Sequence, residues 1–301
     1  ARYLKLERNY SPNTLAAYQN DLSWLLSFCE QQEMNPLDMQ LEDLQHFAVQ
    51  LHEHQIGPTS QARILSGIRS FYKYLLLSGE IEQDPTELLE SPHLGERLPE
   101  VLSTDEIDQI QKSIDLSKPE GQRNKTIIEV LFSCGLRVSE LVNLKLSNLY
   151  LEEGFVRVMG KGSKERLVPI SSKAVRELQY WFGDRNLMKI QQGEEDYVFL
   201  NRRGKHLTRT MILIMLKRQA VAAGITKTIS PHTLRHSFAT ELLKGGADLR
   251  AIQAMLGHES IGTTELYMHI DTTTLREEIL QHHPRNMKER DDDNEEKEDE
   301  Q

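Results

Sequence analysis

Residues 231–236 read PHTLRH, residues 256–258 read LGH, and Tyr267 follows nine positions later. Residues three apart share one face of a helix, so a helical segment would place His232 and Arg235 side by side. Arginine grips phosphate oxygens with a planar, permanently charged fork, histidine transfers protons, and tyrosine can be a nucleophile. Together these groups can attack a phosphodiester without a metal ion. The segments therefore predict an enzyme that cuts a nucleic-acid strand.

The composition predicts a cytoplasmic protein with no membrane partner. The 301 residues are 38% apolar and 27% charged, which allows two domains of ordinary size. No apolar run approaches the ~20 residues of a membrane span, and no signal-peptide pattern opens the sequence. The two cysteines, Cys29 and Cys134, form no CxxC pair and favour a reducing compartment.

The charge distribution favours a nucleic-acid partner, although the net charge is −10. Residues 288–301 hold three basic and nine acidic residues, so this tail carries more than half of the negative excess. From Tyr197 to Thr240 there is no Asp or Glu. A local basic surface can bind phosphate even when the net charge of the whole chain is negative. The basic residues that we expect to contact DNA are Arg63, Arg69, Lys73, Lys164, Arg202, Arg203 and Arg209.

The first 90 residues predict a helical domain. Pro12 suits a first helical turn, a second helix is expected from Asp38 to Glu53, and Gly57-Pro58 ends it and begins a third. The basic residues of that third helix lie off its apolar stripe. They could meet phosphates or simply form a solvated face, and the sequence favours neither.

The sequence from 91 to 103, SPHLGERLPEVLS, predicts a linker, after which a second domain begins. Ser103 and Glu106 form a capping-box pattern, and the helices that follow stop at Gly135. Residues 155–158 and 165–168 predict a hairpin, residues 197–200 look like a strand, and the chain then reads as helical to about Leu280. The acidic end is too charged to fold alone. The expected boundaries are 1–92, a linker 93–102, 103–286, and a disordered tail 287–301.

Two residues upstream of residues 231–236 are further candidates, with alternatives left open. Arg137 follows the predicted helix stop and precedes a short helix that Ser139 is expected to cap. Glu140 could hold Arg137 in a salt bridge. Alternatively, Arg137 is an ordinary surface residue. Lys161 lies in a Gly-Lys-Gly turn, where the backbone can approach DNA closely. It could contact phosphate or act as a general acid.

A metal site is the main alternative for the histidines. His232 and His236 are four apart and could bind Zn²⁺, but Arg235 between them would repel a dication and no HExxH occurs. We expect neither metal nor cofactor, and we interpret His282-His283 as a helix end or a packing feature. Tyr267 is one of nine tyrosines. Its phenol, with a pKa near ~10, would need arginines and an imidazole to become a nucleophile.

Over roughly residues 1–286 these motifs closely resemble the tyrosine recombinase (phage-integrase) family. The segments SPNTLAAYQNDL, KGSKERLVPI and HTLRHSFATELL, and the HHPR ending, look most like its Xer subgroup. The resemblance implies a mainly α fold with a small β-sheet: an all-helical, SAM-like core-binding domain and an α+β catalytic domain. The catalytic set that it implies is Arg137, Lys161, His232, Arg235, His258 and Tyr267.

The resemblance also implies a reaction. Tyr267 would attack the scissile phosphate, leaving a 3′-phosphotyrosine and a free 5′-hydroxyl. Arg137 and Arg235 would stabilise the transition state, Lys161 would protonate the leaving oxygen, and the two histidines would assist proton transfer. The phosphotyrosine would conserve the energy of the broken bond, so the strand could be rejoined without ATP.

The implied partners are a double-stranded DNA recombination site, a homologous partner recombinase in a tetrameric synapse, and a DNA translocase as regulator. Chromosome dimer resolution in the bacterial cytoplasm, at the nucleoid, is the expected role. The alternatives are an integrase of a mobile element, a type IB topoisomerase and a non-catalytic DNA-binding protein. The acidic extension after Arg285 departs from the subgroup; it could tune the docking of the C-terminal helix on a neighbouring subunit, or have no role.

Overall fold

The computed structural model describes residues 12–92, 100–160, 165–257 and 272–286. The chain divides into two compact units, Ala1–Arg97 and Leu98–Gln301. The first unit is helical throughout its described part, and the second combines helices with a small sheet. The fold class expected from the resemblance, mainly α with a small β-sheet, is therefore confirmed.

Three helices build the described part of the first unit: α1 (Pro12–Gln31), α2 (Leu41–Glu53) and α3 (Pro58–Ser78). Both α1 and α2 pack on α3, and their apolar faces meet in a core that includes Leu25, Leu44 and Ile68. Tyr72 is fully buried in this core, and its hydroxyl donates to the carbonyl of Pro36 at 2.7 Å.

The second helix begins three residues later than predicted. Asp38 lies in the preceding turn, where its carboxylate accepts a hydrogen bond from the Asn35 side chain at 3.0 Å. Gln40 is the N-cap of α2, and its backbone N–H donates to Asp43 at 2.8 Å. The local turn satisfies polar groups that a longer helix would have used, which is why α2 starts at Leu41. The predicted start of α3 at Pro58 is confirmed.

The second unit is organised around a buried helix. Its first helix, α4 (Thr104–Lys112), has the predicted capping box between Ser103 and Glu106. The next helix, α5 (Gly121–Cys134), is buried along its whole second half and packs against α7 (Ser172–Asn186) and α9 (Pro231–Lys244). Gly135 ends α5 with φ 57°, the left-handed conformation in which glycine carries no Cβ penalty.

Three antiparallel strands form the sheet, in the order β1 (Leu149–Tyr150), β2 (Phe155–Met159) and β3 (Glu165–Pro169). The predicted hairpin is confirmed, with Val156 opposite Val168. The two-residue β1 was too short to predict. The strand expected at residues 197–200 was wrong, because only single bridges form there: Tyr197 pairs with Lys145, and Leu200 with His206 across a tight turn.

The other elements in the described part of the second unit are the short helix α6 (Val138–Val142), a 3₁₀ turn at Leu146–Asn148, α8 (Arg209–Ala222), α10 (Leu249–Leu256) and α11 (Thr272–His282). After α11, His283 packs against the rings of Phe132 and Phe238, as a packing histidine should. Burial lowers the pKa of His283 to about 3, so its imidazole is neutral. No helix in the described part of the chain is both long and apolar enough to cross a membrane.

Candidate active site

The segment at 231–236 forms the first turns of α9, as its spacing predicts. Ser230 is the N-cap and accepts the N–H of Thr233 at 3.2 Å, while Pro231 occupies the first turn. His232 and Arg235 line one pocket of about 400 Å³. The complete lining is Glu100, His232, Thr233, Arg235, His236, Ala239 and Leu256. The helix therefore presents an imidazole and a guanidinium to the same open space.

Three arginines from three elements bind consecutive carbonyls at the end of α10. Arg166 Nε donates to Met255 O at 2.8 Å, Arg235 Nη2 to Leu256 O, and Arg137 Nη2 to Gly257 O at 2.8 Å. The last carbonyls of a helix have no partner within it and carry its negative partial charge. This helix end is thus a docking point for cations.

A buried carboxylate holds two of these arginines together. The Glu140 side chain is 2% exposed; its Oε1 accepts from Arg137 Nη1 at 2.9 Å and from Arg166 Nη1 at 2.7 Å, and its Oε2 from Arg166 Nη2 at 3.0 Å. Burial raises the pKa of Glu140, but the hydrogen bonds and charges of Arg166 and then Arg137 outweigh it and hold the pKa below its usual range. The carboxylate is therefore ionised. We call Arg137, Glu140, Arg166 and Arg235 the arginine cluster.

Among the predicted site residues that the structure describes, Arg235 is the most deeply buried, at 9% exposed. Besides Leu256 O it binds Gly135 O through Nη1 at 2.6 Å, so the left-handed turn after α5 orients it directly. Burial first, and then the charge of Arg137, lowers the pKa of Arg235 to about 10. It remains charged at neutral pH. With three guanidiniums and one carboxylate, the arginine cluster keeps a net positive charge, which suits an anion such as phosphate.

The described residues include three of the six predicted catalytic positions. Arg137 and Arg235 are brought together at adjacent carbonyls, and His232 shares a pocket with Arg235. The other three, Lys161, His258 and Tyr267, lie outside the described residues. In sequence, His258 directly follows Gly257, whose carbonyl binds Arg137.

Comparison with known proteins identifies the family. The model of the phage integrase family matches residues 100–274, and that of the phage integrase N-terminal SAM-like domain matches residues 1–79. The chain belongs to the phage integrase family of tyrosine recombinases. Tyrosine recombinase XerD of Staphylococcus saprophyticus is 39% identical over 285 residues, covering 94% of this chain and 97% of that protein. XerD of Staphylococcus aureus is 40% identical over the same length. The chain is thus a tyrosine recombinase of the Xer type.

Solved structures of the family show the same fold. The XerA recombinase is 29% identical, with a TM-score of 0.50 over 92% of this chain and 94% of that one. The XerH recombinase bound to its difH substrate, in a post-cleavage complex, is 24% identical with a TM-score of 0.69, covering 91% of this chain and 81% of that one. At 21% identity, the Tn1549 transposon integrase shows likeness of fold alone, with a TM-score of 0.68.

In this tyrosine recombinase the helix after Gly135 is capped differently from the prediction. Arg137, rather than Ser139, is the N-cap of α6, and its backbone N–H donates to Glu140 at 2.8 Å. The predicted Arg137–Glu140 salt bridge is confirmed. Glu140 therefore binds both the backbone and the side chain of Arg137, which fixes this arginine more tightly than a Ser139 cap would.

The basic residues expected at DNA differ in their surroundings within the recombinase. Arg63 pairs with the buried Asp21 at 2.5 Å yet is 49% exposed, whereas Arg69 donates to Ser91 at 2.9 Å and to Leu89 O. Arg202 pairs with Glu120 at 3.0 Å and is 73% exposed. The other members are Lys73, Arg203 and Arg209, which are exposed, and Lys164, which lies outside the described residues. Arg69 has the strongest claim to a structural role.

The zinc alternative finds no support within the described ranges of this family member. No group of three potential metal ligands occurs among those residues. His232 and His236 are both exposed on α9, and the charged Arg235 lies between them in the same pocket. That placement suits a phosphate better than a dication.

Arg166 is the site residue that sequence reasoning missed. Strand residues two apart face the same side of a sheet, so Arg166 shares its side with the fully buried Val168. An arginine on the inward side of a strand needs a buried partner, because an unpaired buried charge is costly. The alternation of inward and outward side chains within KERLVP could have identified Arg166 as a site residue.

Proposed function

We propose that this recombinase cuts and rejoins DNA strands at a specific site through a covalent bond to Tyr267. The observation that carries the proposal is the arginine cluster at the end of α10, which brings Arg137 and Arg235 together immediately before His258 in the sequence. Two fixed guanidiniums next to an open pocket with an imidazole form a phosphate site that needs no metal.

The catalytic roles follow from the chemistry of each group. The phenol oxygen of Tyr267 bonds to phosphorus, the bond to the 5′ oxygen breaks, and Lys161 supplies the proton to that leaving oxygen. Arg137 and Arg235 neutralise the nonbridging oxygens, on which charge develops in the transition state. Since Arg137 is already held by Glu140 and Gly257 O, and Arg235 by Gly135 O and Leu256 O, little reorganisation is needed when the phosphate arrives. His232 and His258 accept or share the phenol proton.

We further propose chromosome dimer resolution as the biological role. The chain spans 97% of the length of its XerD relatives, so it has the extent of those recombinases. Two duplexes require four active sites, so we propose a tetrameric synapse that includes a homologous partner recombinase. A DNA translocase would regulate this synapse. The recombinase would act in the bacterial cytoplasm, at the nucleoid, because its substrate is chromosomal DNA.

The two domains of the chain would have different roles. Residues 1–92 form the core-binding domain and 103–286 the catalytic domain, joined by a linker at 93–102. Phosphate contacts would come from the exposed basic residues, among them Lys73 on α3 and Arg209 at the start of α8. These contacts position the DNA but do not read its sequence.

A nicked suicide substrate carrying the chromosomal resolution site tests the proposal. The wild-type protein should form a covalent protein–DNA adduct that survives SDS, and it should do so in EDTA. Tyr267→Phe should form none, while Tyr150→Phe, an exposed tyrosine on β1, should behave as wild type. An adduct with Tyr267→Phe would overturn the nucleophile assignment, and dependence on added metal would overturn the metal-free mechanism.

A further inference from the structure

All three guanidinium nitrogens of Arg166 donate hydrogen bonds to groups of the protein itself. Nη1 and Nη2 bind the two oxygens of Glu140 at 2.7 and 3.0 Å, and Nε binds Met255 O at 2.8 Å. Its side chain is 14% exposed. It also lies against the backbone of Gly257, where an added Cβ would be 3.2 Å from both Cδ and Nε. One side chain thus joins β3, α6 and the end of α10.

The position of Arg137 depends on these contacts. Arg137 is held by Glu140 and by Gly257 O, and Arg166 contacts both Glu140 and the Gly257 backbone. Without Arg166, Glu140 would keep one cation instead of two, and each of its oxygens would lose one of its two donors, so the buried carboxylate would shift. The end of α10 would also lose a donor at Met255 O. Arg137 would then be free to leave the geometry that a phosphate needs.

We propose that Arg166 is a positioning residue for the phosphate-binding arginines, acting through Glu140 and the end of α10. The inference rests on the proposed strand-cutting function and adds a residue outside the six catalytic positions. Three of the five N–H donors of Arg166 are engaged by Glu140 and Met255 O, so the role proposed for Arg166 is to hold these groups rather than to bind the phosphate. A lysine cannot replace it fully, since an ammonium lacks the fork that binds both carboxylate oxygens at once.

The test compares single-turnover cleavage of two suicide substrates. One carries the ordinary scissile phosphate; the other carries a methylphosphonate there, in which a methyl group replaces one nonbridging oxygen and removes its charge. A displacement of about 1 Å in a catalytic group costs roughly 100-fold in rate, so Arg166→Met should cleave the phosphate about 100-fold more slowly than wild type. The methylphosphonate needs the guanidiniums less, because it carries less charge. On this substrate Arg166→Met should therefore be slower than wild type by less than about 10-fold.

A double-mutant cycle identifies the route. Because Arg166 acts partly through Glu140, the loss of rate in Arg166→Met combined with Glu140→Gln should be well below the product of the two single losses. Arg166→Lys keeps the charge and should lie between wild type and Arg166→Met. Affinity for DNA should change little in each variant, because Arg166 makes no contact with the substrate.

Two matched controls separate positioning from stability. Arg185 is 4% exposed and donates to the carbonyls of Glu195 and Tyr197, so Arg185→Met removes an even more deeply buried arginine that does not belong to the arginine cluster. Arg157→Met removes an arginine of the same hairpin that binds Asn148 instead. For each of these two control variants, the cleavage rate relative to wild type should be the same on the phosphate and on the methylphosphonate.

The outcomes are distinct. Equal losses for Arg166→Met on both substrates, or additive losses in the cycle, would overturn the inference while leaving the proposed function intact. An Arg166→Lys variant as fast as wild type would also overturn it, because the fork would then be unnecessary. If the wild type itself formed no adduct, the proposed function would fail first. If Arg166→Met does not fold, Arg166→Lys and the cycle built on it decide the question by the same ratio.

Discussion

A buried ion cluster anchors the segment that follows α11, and breaking it should destabilise the second unit. Arg285 is 2% exposed; its Nε binds Glu129 at 3.0 Å and its Nη1 binds Asp108 at 2.5 Å. Its guanidinium also lies over the Phe132 ring, 5.2 Å from the centroid. Glu129 is completely buried, so Arg285→Met would leave a buried charge with fewer partners.

The magnitude follows from what Glu129 would retain. Removing one partner of a buried ion pair costs about 3–5 kcal/mol. Glu129 would still accept from Gln111 at 2.8 Å and lie 3.6 Å from Lys173, and methionine would fill most of the vacated space. We therefore expect the lower end, about 3 kcal/mol off the free energy of unfolding. Arg202→Met, which removes an exposed pair, should cost less than about 1 kcal/mol.

Urea unfolding followed by tryptophan fluorescence measures this loss in the full chain. The two tryptophans lie in different units, so a Trp24→Phe background leaves the buried Trp181 to report on the second unit alone. Arg285→Met should lower the urea midpoint far more than Arg202→Met. Equal shifts for the two variants would refute the reasoning, because the buried carboxylate would then not depend on Arg285.

The same cluster predicts how acid acts on the second unit. Burial raises the pKa of Asp108, but the charges of Arg285 and then Lys173 outweigh it and hold the pKa of this carboxyl below its usual range. A carboxyl with a lowered pKa adds stability above its unfolded pKa, and that stability is lost as the pH falls through the folded value. Wild type should therefore lose stability below about pH 4 more steeply than Arg285→Met, which has already lost the interaction.

Three further changes test other parts of the molecule. Arg235→Lys should cut cleavage by at least about 100-fold with DNA binding retained, because an ammonium cannot hold Gly135 O, Leu256 O and a phosphate together; single-turnover kinetics and a binding titration check it. Gly135→Ala should cost about 1–3 kcal/mol in urea unfolding, since φ is 57° and a Cβ would run into Phe238; Phe238→Leu should relieve part of the loss. Lys73→Met should reduce the slope of log K against log salt by about 0.9, whereas an unchanged slope would remove Lys73 from the DNA contacts.

The sequence predicted well those features that are encoded within a few residues. The Ser103–Glu106 capping box, the stop at Gly135, the hairpin and the start of α3 at Pro58 each depend on neighbours in the chain, and the structure has all four. The wrong predictions lie where other contacts outweigh the local sequence pattern. Residues 197–200 have the apolar content of a strand, but only single bridges pair with them, and the side-chain bonds around Asp38 delay α2.

The arrangement of the candidate site could not be predicted in the same way, because it depends on backbone atoms distant in sequence. The contact of Arg137 with Gly257 O joins residues 120 positions apart, and that of Arg235 with Gly135 O joins residues 100 apart. Spacing can indicate that His232 and Arg235 share a helix face, but no spacing indicates which carbonyl a guanidinium will meet.

The end of α10 explains why the arginines can lie so close together. Like charges repel, and Arg137 contributes to lowering the pKa of Arg235. Three carbonyls in succession and one buried carboxylate offset that repulsion, and they do so with atoms whose positions are fixed by helix geometry. A glycine at 257, with φ 63°, ends α10 without a Cβ that would press on Arg166. The helix end therefore assembles the cations, and in sequence it is followed at once by the predicted catalytic residue His258, so a change that shifts α10 should impair cleavage even where it touches none of the six predicted catalytic residues.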